Sequence, residues 1–490
     1  MNYRMIGYVL GRIALIEAAL LAIPMVVALL YGEAAWPFLI PILLLLVLGG
    51  LFGLRTPKNT VIFAREGLVV ASLTWVLMSV FGCLPFFISG EIPSFTDAFF
   101  ETVSGFTTTG SSILTDIESL SRGMLFWRSF THWVGGMGVL VFAMAILPMP
   151  DGRAMHLMRA EVPGPTVDKI SSKLRDSAKI LYEIYFALSV IEVVLLMLGR
   201  MPLYDALVNT FGTAGTGGFS HLGSSIGQYN NVYYEVVIGI FMLLFGVNFN
   251  IYFFILLRHF KEALRSEELL VYFGVVATSV LAITVNISKL YRGFLPALRY
   301  AFFQVASIIT TTGYATADFN QWPSFSRIIL VTLMFFGACA GSTGGGFKIA
   351  RIIILFKASV RDLQRMLHPH AVTTVRFEGK PLDDRTVRGT NVYLTFYIMI
   401  LVVSILLVSL DHFDLVTSFT SVVACFNNIG PGLSTVGPMG NFSYFSDFTK
   451  WVLSFDMLAG RLEIYPMLVL FAPSVWRKRR RGQARKPVKL

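Results

Sequence analysis

The segment AFFETVSGFTTTG, residues 98–110, returns three more times along the chain without a gap. The other copies are ALVNTFGTAGTGG (206–218), AFFQVASIITTTG (301–313) and SFTSVVACFNNIG (418–430). Their last residues, Gly110, Gly218, Gly313 and Gly430, set the register. The first column is always small: Ala98, Ala206, Ala301, Ser418. Three columns on, every residue is polar: Glu101, Asn209, Gln304, Ser421. Six before the glycine all are small again: Ser104, Gly212, Ser307, Ala424. Two before it stand Thr108, Thr216, Thr311 and Asn428. Four segments agreeing at several columns define an internal repeat, which a single TTTG would not.

Each copy is an apolar segment of about a dozen residues ending in a Gly/Thr loop, too short to span a bilayer, and reads as re-entrant. Longer apolar stretches of about 20 residues flank every copy. Ten are expected to span: 5–30, 36–54, 61–89 and 124–147, and others beginning near Ala178, Val232, Leu269, Ser326, Asn391 and Phe445. The unit is therefore helix, re-entrant helix, glycine loop, helix. Four units account for eight spans, and the first two helices stand apart as an addition that is retained rather than cleaved. The expected fold is an all-α polytopic membrane protein, with four repeats around a central pore plus two extra N-terminal helices. The divisions are 1–57 (N-terminal pair), 58–150 (repeat one), 151–266 (basic linker and repeat two), 267–357 (repeat three), 358–476 (basic linker and repeat four) and 477–490 (basic tail).

Composition agrees. Of 490 residues 55% are hydrophobic and 14% charged, too few charges for the surface of a soluble fold of this length. Disorder, fibrous repeats and nucleic-acid binding are excluded on the same figures. The net charge of +11 fits basic cytoplasmic loops, because Lys and Arg concentrate at 55–65, 153–175, 258–265, 357–388 and the C-terminal tail. That bias places both termini in the cytoplasm and leaves the tail available to anionic lipid or an acidic partner. Cys83, Cys339 and Cys425 lie far apart, and His368 and His370 have no ligand cluster beside them, so neither a disulfide framework nor a metal motif is indicated. Asp97 and Glu101 are paired carboxylates without a nucleophile or histidine nearby, and GSTGGGFK lacks the GK[ST] ending of a phosphate loop. An enzyme is not indicated, and nucleotide control would have to come from another subunit.

Four glycine loops at membrane depth must line a water-filled path or be buried in protein. Glycine lets successive carbonyls turn toward an axis. Rings of carbonyls replace the hydration shell of a permeating cation, and each short helix would aim its partially negative C-terminal end at that site. With no carboxylate in the loops, the ring suits a weakly hydrated monovalent cation better than Ca²⁺ or Mg²⁺. Two further features stand inside spans. Gly341-Ser342-Thr343-Gly344-Gly345-Gly346 would weaken a helix by about 1 kcal/mol per glycine and reads as a deliberate break beneath the loops. Arg461, between Asp456 and Glu463, is an intramembrane charge and a functional candidate by default, with a buried ion pair as the plainer reading. Lys348 follows the break and could meet lipid phosphate or the loop's own carbonyls. The milder Gly135-Gly136-Met137-Gly138 reads as a packing contact or hinge.

The four-loop pattern resembles the Trk/Ktr/HKT superfamily of potassium transporters. MRAEVPGP (158–165), GACAGSTGGGFK (337–348) and MLAGRLEIYP (457–466) are similar to the bacterial TrkH/TrkG branch, and the resemblance covers essentially the whole chain. It implies K⁺ uptake across a bacterial inner membrane. It implies a selectivity filter of Thr108, Thr109, Gly110, Thr216, Gly217, Gly218, Thr311, Thr312, Gly313, Asn428, Ile429 and Gly430, with K⁺ as the bound and transported ion. Family members with serine at the first filter position favour Na⁺, and glycine here implies K⁺. The resemblance also implies a gate at Gly341–Gly346 with Arg461 reaching into the pore. It further implies a homodimer and a cytosolic TrkA-type subunit that binds NAD(H) or ATP. The fourth loop, Asn428-Ile429-Gly430-Pro431-Gly432, departs from the Thr pattern. The alternative is a Na⁺-permeable or Na⁺/H⁺-coupled transporter of the same architecture. A secondary transporter for an organic solute would instead show inverted repeats, whereas these all start inside.

Overall fold

The computed structural model describes residues 1–59, 62–138, 174–370 and 373–476. MRAEVPGP, most of the first basic linker and the C-terminal tail lie outside them. The regular elements of the described residues are helices apart from a two-residue antiparallel ladder, β1 (Arg376–Phe377) with β2 (Lys380–Pro381).

The N-terminal pair is α1 (Tyr3–Leu30) and α2 (Trp36–Gly53). They cross at glycine: a Cβ built on Gly11 would lie 2.5 Å from the Gly53 amide nitrogen. Repeat one contains α3 (Ala64–Gly82), α4 (Leu84–Ser89), the short α5 (Phe95–Phe106) and α6 (Arg122–Gly136). Repeat two contains α7 (Leu174–Leu198), the short α8 (Leu203–Gly215), α9 (Val232–Phe245) and α10 (Phe249–Leu256). Repeat three contains α11 (Glu267–Ile287), the short α12 (Phe294–Ile309), α13 (Ser324–Phe336) and α14 (Ile349–Leu367). Repeat four contains α15 (Asp384–Val408), the short α16 (Leu415–Phe426), α17 (Asp447–Arg461) and α18 (Tyr465–Phe471). Capping fixes where short helices begin: Ser94 Oγ accepts from the Asp97 amide and Asp414 Oδ2 from the Thr417 amide, satisfying donors that the first turn leaves open.

The repeats are joined in a closed order. α6 packs on α8, α9 on α12, α13 on α16, and α17 returns to α5. Of the ten expected spans, the second helices of the repeats are less regular than the apolar pattern suggests. Among the described residues six helices are long and apolar enough to cross a membrane unbroken: Tyr3–Leu30, Trp36–Gly53, Ala64–Ser89, Ala178–Leu198, Glu267–Ile287 and Asp384–Asp411. The helix after the loop is bent or interrupted in repeats two, three and four. In repeat two the pair Val232–Phe245 and Phe249–Leu256 turns through 92°, where Asn248 caps the new helix by accepting from the Asn250 amide. In repeat three the expected break runs from Gly337 to Lys348. In repeat four Glu463 and Ile464 adopt left-handed backbone (φ 57° and 66°) and the chain restarts at Tyr465-Pro466. In repeat one α6 stops at Gly136, and the expected span beyond Gly138 lies outside the described residues.

These endings bring the second helices close under the loops. A Cβ on Gly135 would lie 1.8 Å from the Phe106 carbonyl oxygen, and one on Gly460 would lie 2.0 Å from that of Phe426. Phe106 and Phe426 occupy the same repeat column, four before the loop glycine, so repeats one and four use one contact. The glycines near 135 are therefore a packing contact.

We predict that Gly11→Leu overpacks the α1–α2 crossing and destabilises the protein by about 1–3 kcal/mol. Thermal unfolding in detergent should show a lowered midpoint.

Candidate functional site: four loops closed into a ring

The loops share one backbone path. Thr108, Thr216, Thr311 and Asn428 are left-handed, with φ between 55° and 60°. Two residues on, Gly110, Gly218, Gly313 and Gly430 are left-handed again, with φ of 83°, 73°, 83° and 95°. The residue between them is tied back into its short helix: the amides of Thr109, Gly217, Thr312 and Ile429 donate to the carbonyls of Ser104, Gly212, Ser307 and Ala424 at 2.8–2.9 Å. Those acceptors are the column of small residues six before the glycine.

The loops also meet one another in sequence. A Cβ built on Gly110 would lie 2.0 Å from the Gly217 carbonyl oxygen. One on Gly218 would lie 2.0 Å from that of Thr312, and one on Gly313 2.1 Å from that of Ile429. One on Gly430 would lie 2.8 Å from that of Thr109, which closes the circle. All twelve loop residues expected from the sequence are thus brought together. Glycine is required twice over, by its positive φ and by the carbonyl standing where a side chain would begin. What the ring offers chemically is neutral oxygen, and no charged side chain belongs to it.

Side chains brace the loops from behind. Thr107 Oγ1 donates to the Val103 carbonyl and pairs with Thr109 Oγ1 at 2.7 Å. Thr310 repeats this with Ala306 and Thr312. In the divergent fourth loop amides replace hydroxyls: Asn427 Nδ2 donates to the Val423 carbonyl, and Asn428 Nδ2 to Thr109 Oγ1 and the Met457 carbonyl, each at 2.9–3.0 Å.

Charged groups lock the seams, and of these the sequence reading named Glu101 and Asp97 but passed over Arg128, Arg299, Glu235 and Lys450. Glu101 is buried and accepts from Ser112 Oγ, the Ile113 amide and Arg128 Nε (2.6 Å). Arg128 also donates to the Ser220 carbonyl of repeat two at 2.9 Å. Arg299 of repeat three forks onto Glu235 of repeat two, both bonds at 2.5 Å. Asn320 and Ser434 exchange hydrogen bonds between repeats three and four. Lys450 of repeat four pairs with Asp97 of repeat one at 2.5 Å. Glu101 and Asp97 are therefore structural partners of cations. The signal available in sequence was an isolated charge in an apolar helix, which is costly unless paired. On the loop side of the ring Glu118 accepts from Gln228 Nε2 and the Gly223 amide, and these bonds hold its carboxyl below the usual value.

Beneath the ring lies the 337–348 break. The Gly345 amide donates to Thr311 Oγ1 at 2.7 Å, and a Cβ on Gly344 would lie 3.1 Å from the Thr310 carbonyl. Gly341 accepts from the Phe249 amide, Ser342 Oγ donates to the Cys339 carbonyl, and Thr343 Oγ1 to that of Phe245. Gly346 is left-handed at φ 75° and abuts Gly337. Lys348 Nζ bonds the Gly344 carbonyl, the second of its two expected partners. Arg461 is buried and donates to three carbonyls, Thr343 (2.7 Å), Gly135 (2.5 Å) and Gly136 (2.6 Å). It joins repeats four, three and one under the ring. Its neighbours in sequence go elsewhere: Asp456 accepts from Ser404, and Glu463 pairs with Arg351.

The fold and this ring define a class, a polytopic helical membrane protein in which four re-entrant loops surround one axis above a broken helix. The profile of the TrkH family, described as cation transport protein, matches residues 38–478. The Trk system potassium uptake protein TrkH of Salmonella typhimurium is 37% identical over 486 residues, 98% of this chain and 100% of the relative. TrkG of Escherichia coli is 34% identical, over 97% of this chain and 99% of the relative. The crystal structure of the potassium transporter TrkH from Vibrio parahaemolyticus matches with a TM-score of 0.87 at 32% identity, covering 97% of this chain and 100% of that one. The chain belongs to the TrkH family of cation transport proteins.

Arg128→Ala leaves the Glu101 carboxylate buried without its cation, which costs about 3–5 kcal/mol. Arg128→Met combined with Glu101→Leu removes both charges and should recover much of that loss in a thermal melt.

Proposed function

We propose that this chain takes up K⁺ across the bacterial inner membrane through the four-loop ring, with both termini cytoplasmic. The observation that carries the reading is the cyclic contact of Gly110, Gly218, Gly313 and Gly430 with the next repeat's carbonyl, a geometry that gathers neutral oxygens at membrane depth. The filter consists of Thr108, Thr109 and Gly110, Thr216, Gly217 and Gly218, Thr311, Thr312 and Gly313, and Asn428, Ile429 and Gly430. K⁺ is cargo, exchanging water for carbonyl oxygen as it passes. The relatives named as potassium uptake proteins support this ion and a transporter rather than an enzyme.

The membrane potential alone supplies most of the work of uptake. A hundredfold accumulation of a monovalent cation needs about 2.7 kcal/mol, and one charge crossing 100 mV yields about 2.3 kcal/mol.

The gate of this reading is Gly341–Gly346 with Arg461. A guanidinium held on carbonyls from three repeats puts positive charge below the ring, which raises the barrier to a cation. Gly344 to Gly346 press on Thr310, Thr311 and Asn428, so movement of the break is felt by the filter. A path to it begins at the cytoplasmic β1–β2 turn. Glu378 there accepts from Ser266 Oγ and the Glu267 and Glu268 amides at the start of α11, and Glu268 accepts from the Ala340 amide of the break at 2.6 Å. Lys357 of α14 pairs with Glu267. The chain works as a homodimer on a cytosolic TrkA-type subunit that binds NAD(H) or ATP, and that subunit acts through this surface.

The direct test is radioactive rubidium uptake into K⁺-loaded proteoliposomes, competed by K⁺ and by Na⁺. Block by K⁺ and not by Na⁺ is expected, and equal competition contradicts a K⁺ filter. Gly110→Ser should raise Na⁺ permeability relative to K⁺, because its side chain meets the Gly217 carbonyl. Deleting Gly344–Gly346, or Arg461→Ala, should speed flux in the same assay, and unaltered flux in both folded variants removes the gate assignment.

A further inference from the structure

The loop column just before the glycine reads Thr109, Gly217, Thr312 and Ile429. In three repeats a side chain at this position packs behind its own loop. Thr109 bonds Thr107 and Asn428, Thr312 bonds Thr310, and Ile429 is buried. Repeat two has no side chain here, although Gly217 is absent from the left-handed residues and its backbone would accept one.

The space is taken by a residue of another repeat. A Cβ built on Gly217 would lie 2.5 Å from His132 Cγ and Nδ1 and 2.6 Å from Cδ2. His132 belongs to α6 of repeat one and is fully buried. Its ring is held on two sides. Nδ1 lies 2.6 Å from the Gly105 carbonyl oxygen, and the ring stacks on Phe219 with centroids 4.2 Å apart. A carbonyl only accepts, so Nδ1 carries the proton. The imidazole meets Gly217 both by shape and through a polar contact with its backbone. It wedges against the one loop residue whose carbonyl oxygen stands 2.0 Å from where Gly110 would carry a side chain.

We propose that His132 is the positioning residue of the second loop, standing in for the side chain missing at Gly217 and thereby setting the K⁺ preference of the ring. This rests on the filter reading above. Removing the ring leaves a hole beside a glycine with no lateral support, and close-packed surroundings relax only partly into such holes. The oxygen of Gly217 then loses its fixed place between loops one and two.

The test uses the full-length protein. Thermal midpoints across KCl and NaCl titrations report apparent affinities, since a bound ion stabilises by mass action, and rubidium uptake competed by K⁺ or Na⁺ gives the same ratio in proteoliposomes. His132→Ala should lower the K⁺-over-Na⁺ ratio about tenfold, or about 1.4 kcal/mol. Gly217→Thr alone should lower it as well, because the threonine strikes the imidazole. His132→Ala with Gly217→Thr should regain most of the ratio, because the threonine enters the vacated space as Thr109 and Thr312 do in their own repeats. A folded His132→Ala protein with an unchanged ratio overturns the proposal, as does a double variant no better than the worse single one. Where His132→Ala does not fold, Gly217→Thr against the double variant decides: recovery of folded yield and ratio supports the wedge, and no recovery overturns it. A wild-type protein without K⁺ preference overturns the K⁺ reading and this proposal together. A preference kept by His132→Ala overturns the role of His132 alone.

Discussion

The contact between each loop glycine and the carbonyl of the next repeat is the constraint on which the molecule is built. A left-handed residue followed two positions later by a left-handed glycine turns the backbone at the ring. The carbonyl at the Cβ position then forbids any substituent there. Because the four contacts run one to two, two to three, three to four and four to one, no repeat can be displaced without opening its neighbour's seam. The column six before each glycine belongs to the same path, since its carbonyl receives the amide of the residue before the glycine.

Irregular backbone in a membrane must be satisfied inside the protein, and the second helices supply much of what the loops need. They stop or bend beside the ring, where Gly135 and Gly460 let them approach the loops and where the 337–348 break packs beneath Thr311. The same interruption exposes carbonyls, and Arg461 and Lys348 occupy several of them. Broken helices and buried cations thus belong to one solution. The cations satisfy backbone oxygens that a continuous helix would have satisfied itself.

Charge is used at the seams in another way. Arg128, Arg299 and Lys450 each bind a carboxylate close to a boundary between repeats. Buried pairs contribute little net stability beside well-packed apolar groups, but breaking one is costly. Arg299 with Glu235 and Lys450 with Asp97 tie neighbouring repeats together, and Arg128 does so through the Ser220 carbonyl.

The repeat was legible in the sequence because symmetry leaves the same residue type in the same column four times. The twelve loop residues could therefore be named from the sequence, the break could be placed at Gly341–Gly346 from its glycine run although it extends over 337–348, and the six unbroken spans followed from apolar length alone. The breaks in repeats two and four were not legible, because Gly246-Val247-Asn248 and Glu463-Ile464 are too short to interrupt an apolar pattern and depend on contacts with Gly341 and Arg351. The partners of Glu101, Asp97 and Arg461 were hidden for the same reason, as was His132 behind Gly217. The sequence by itself determined the elements and the glycines, because these answer to local backbone angles and to burial in lipid. Only the tertiary structure decided which carbonyl each glycine faces and which cation each carboxylate meets, because those distances run between repeats far apart in the chain.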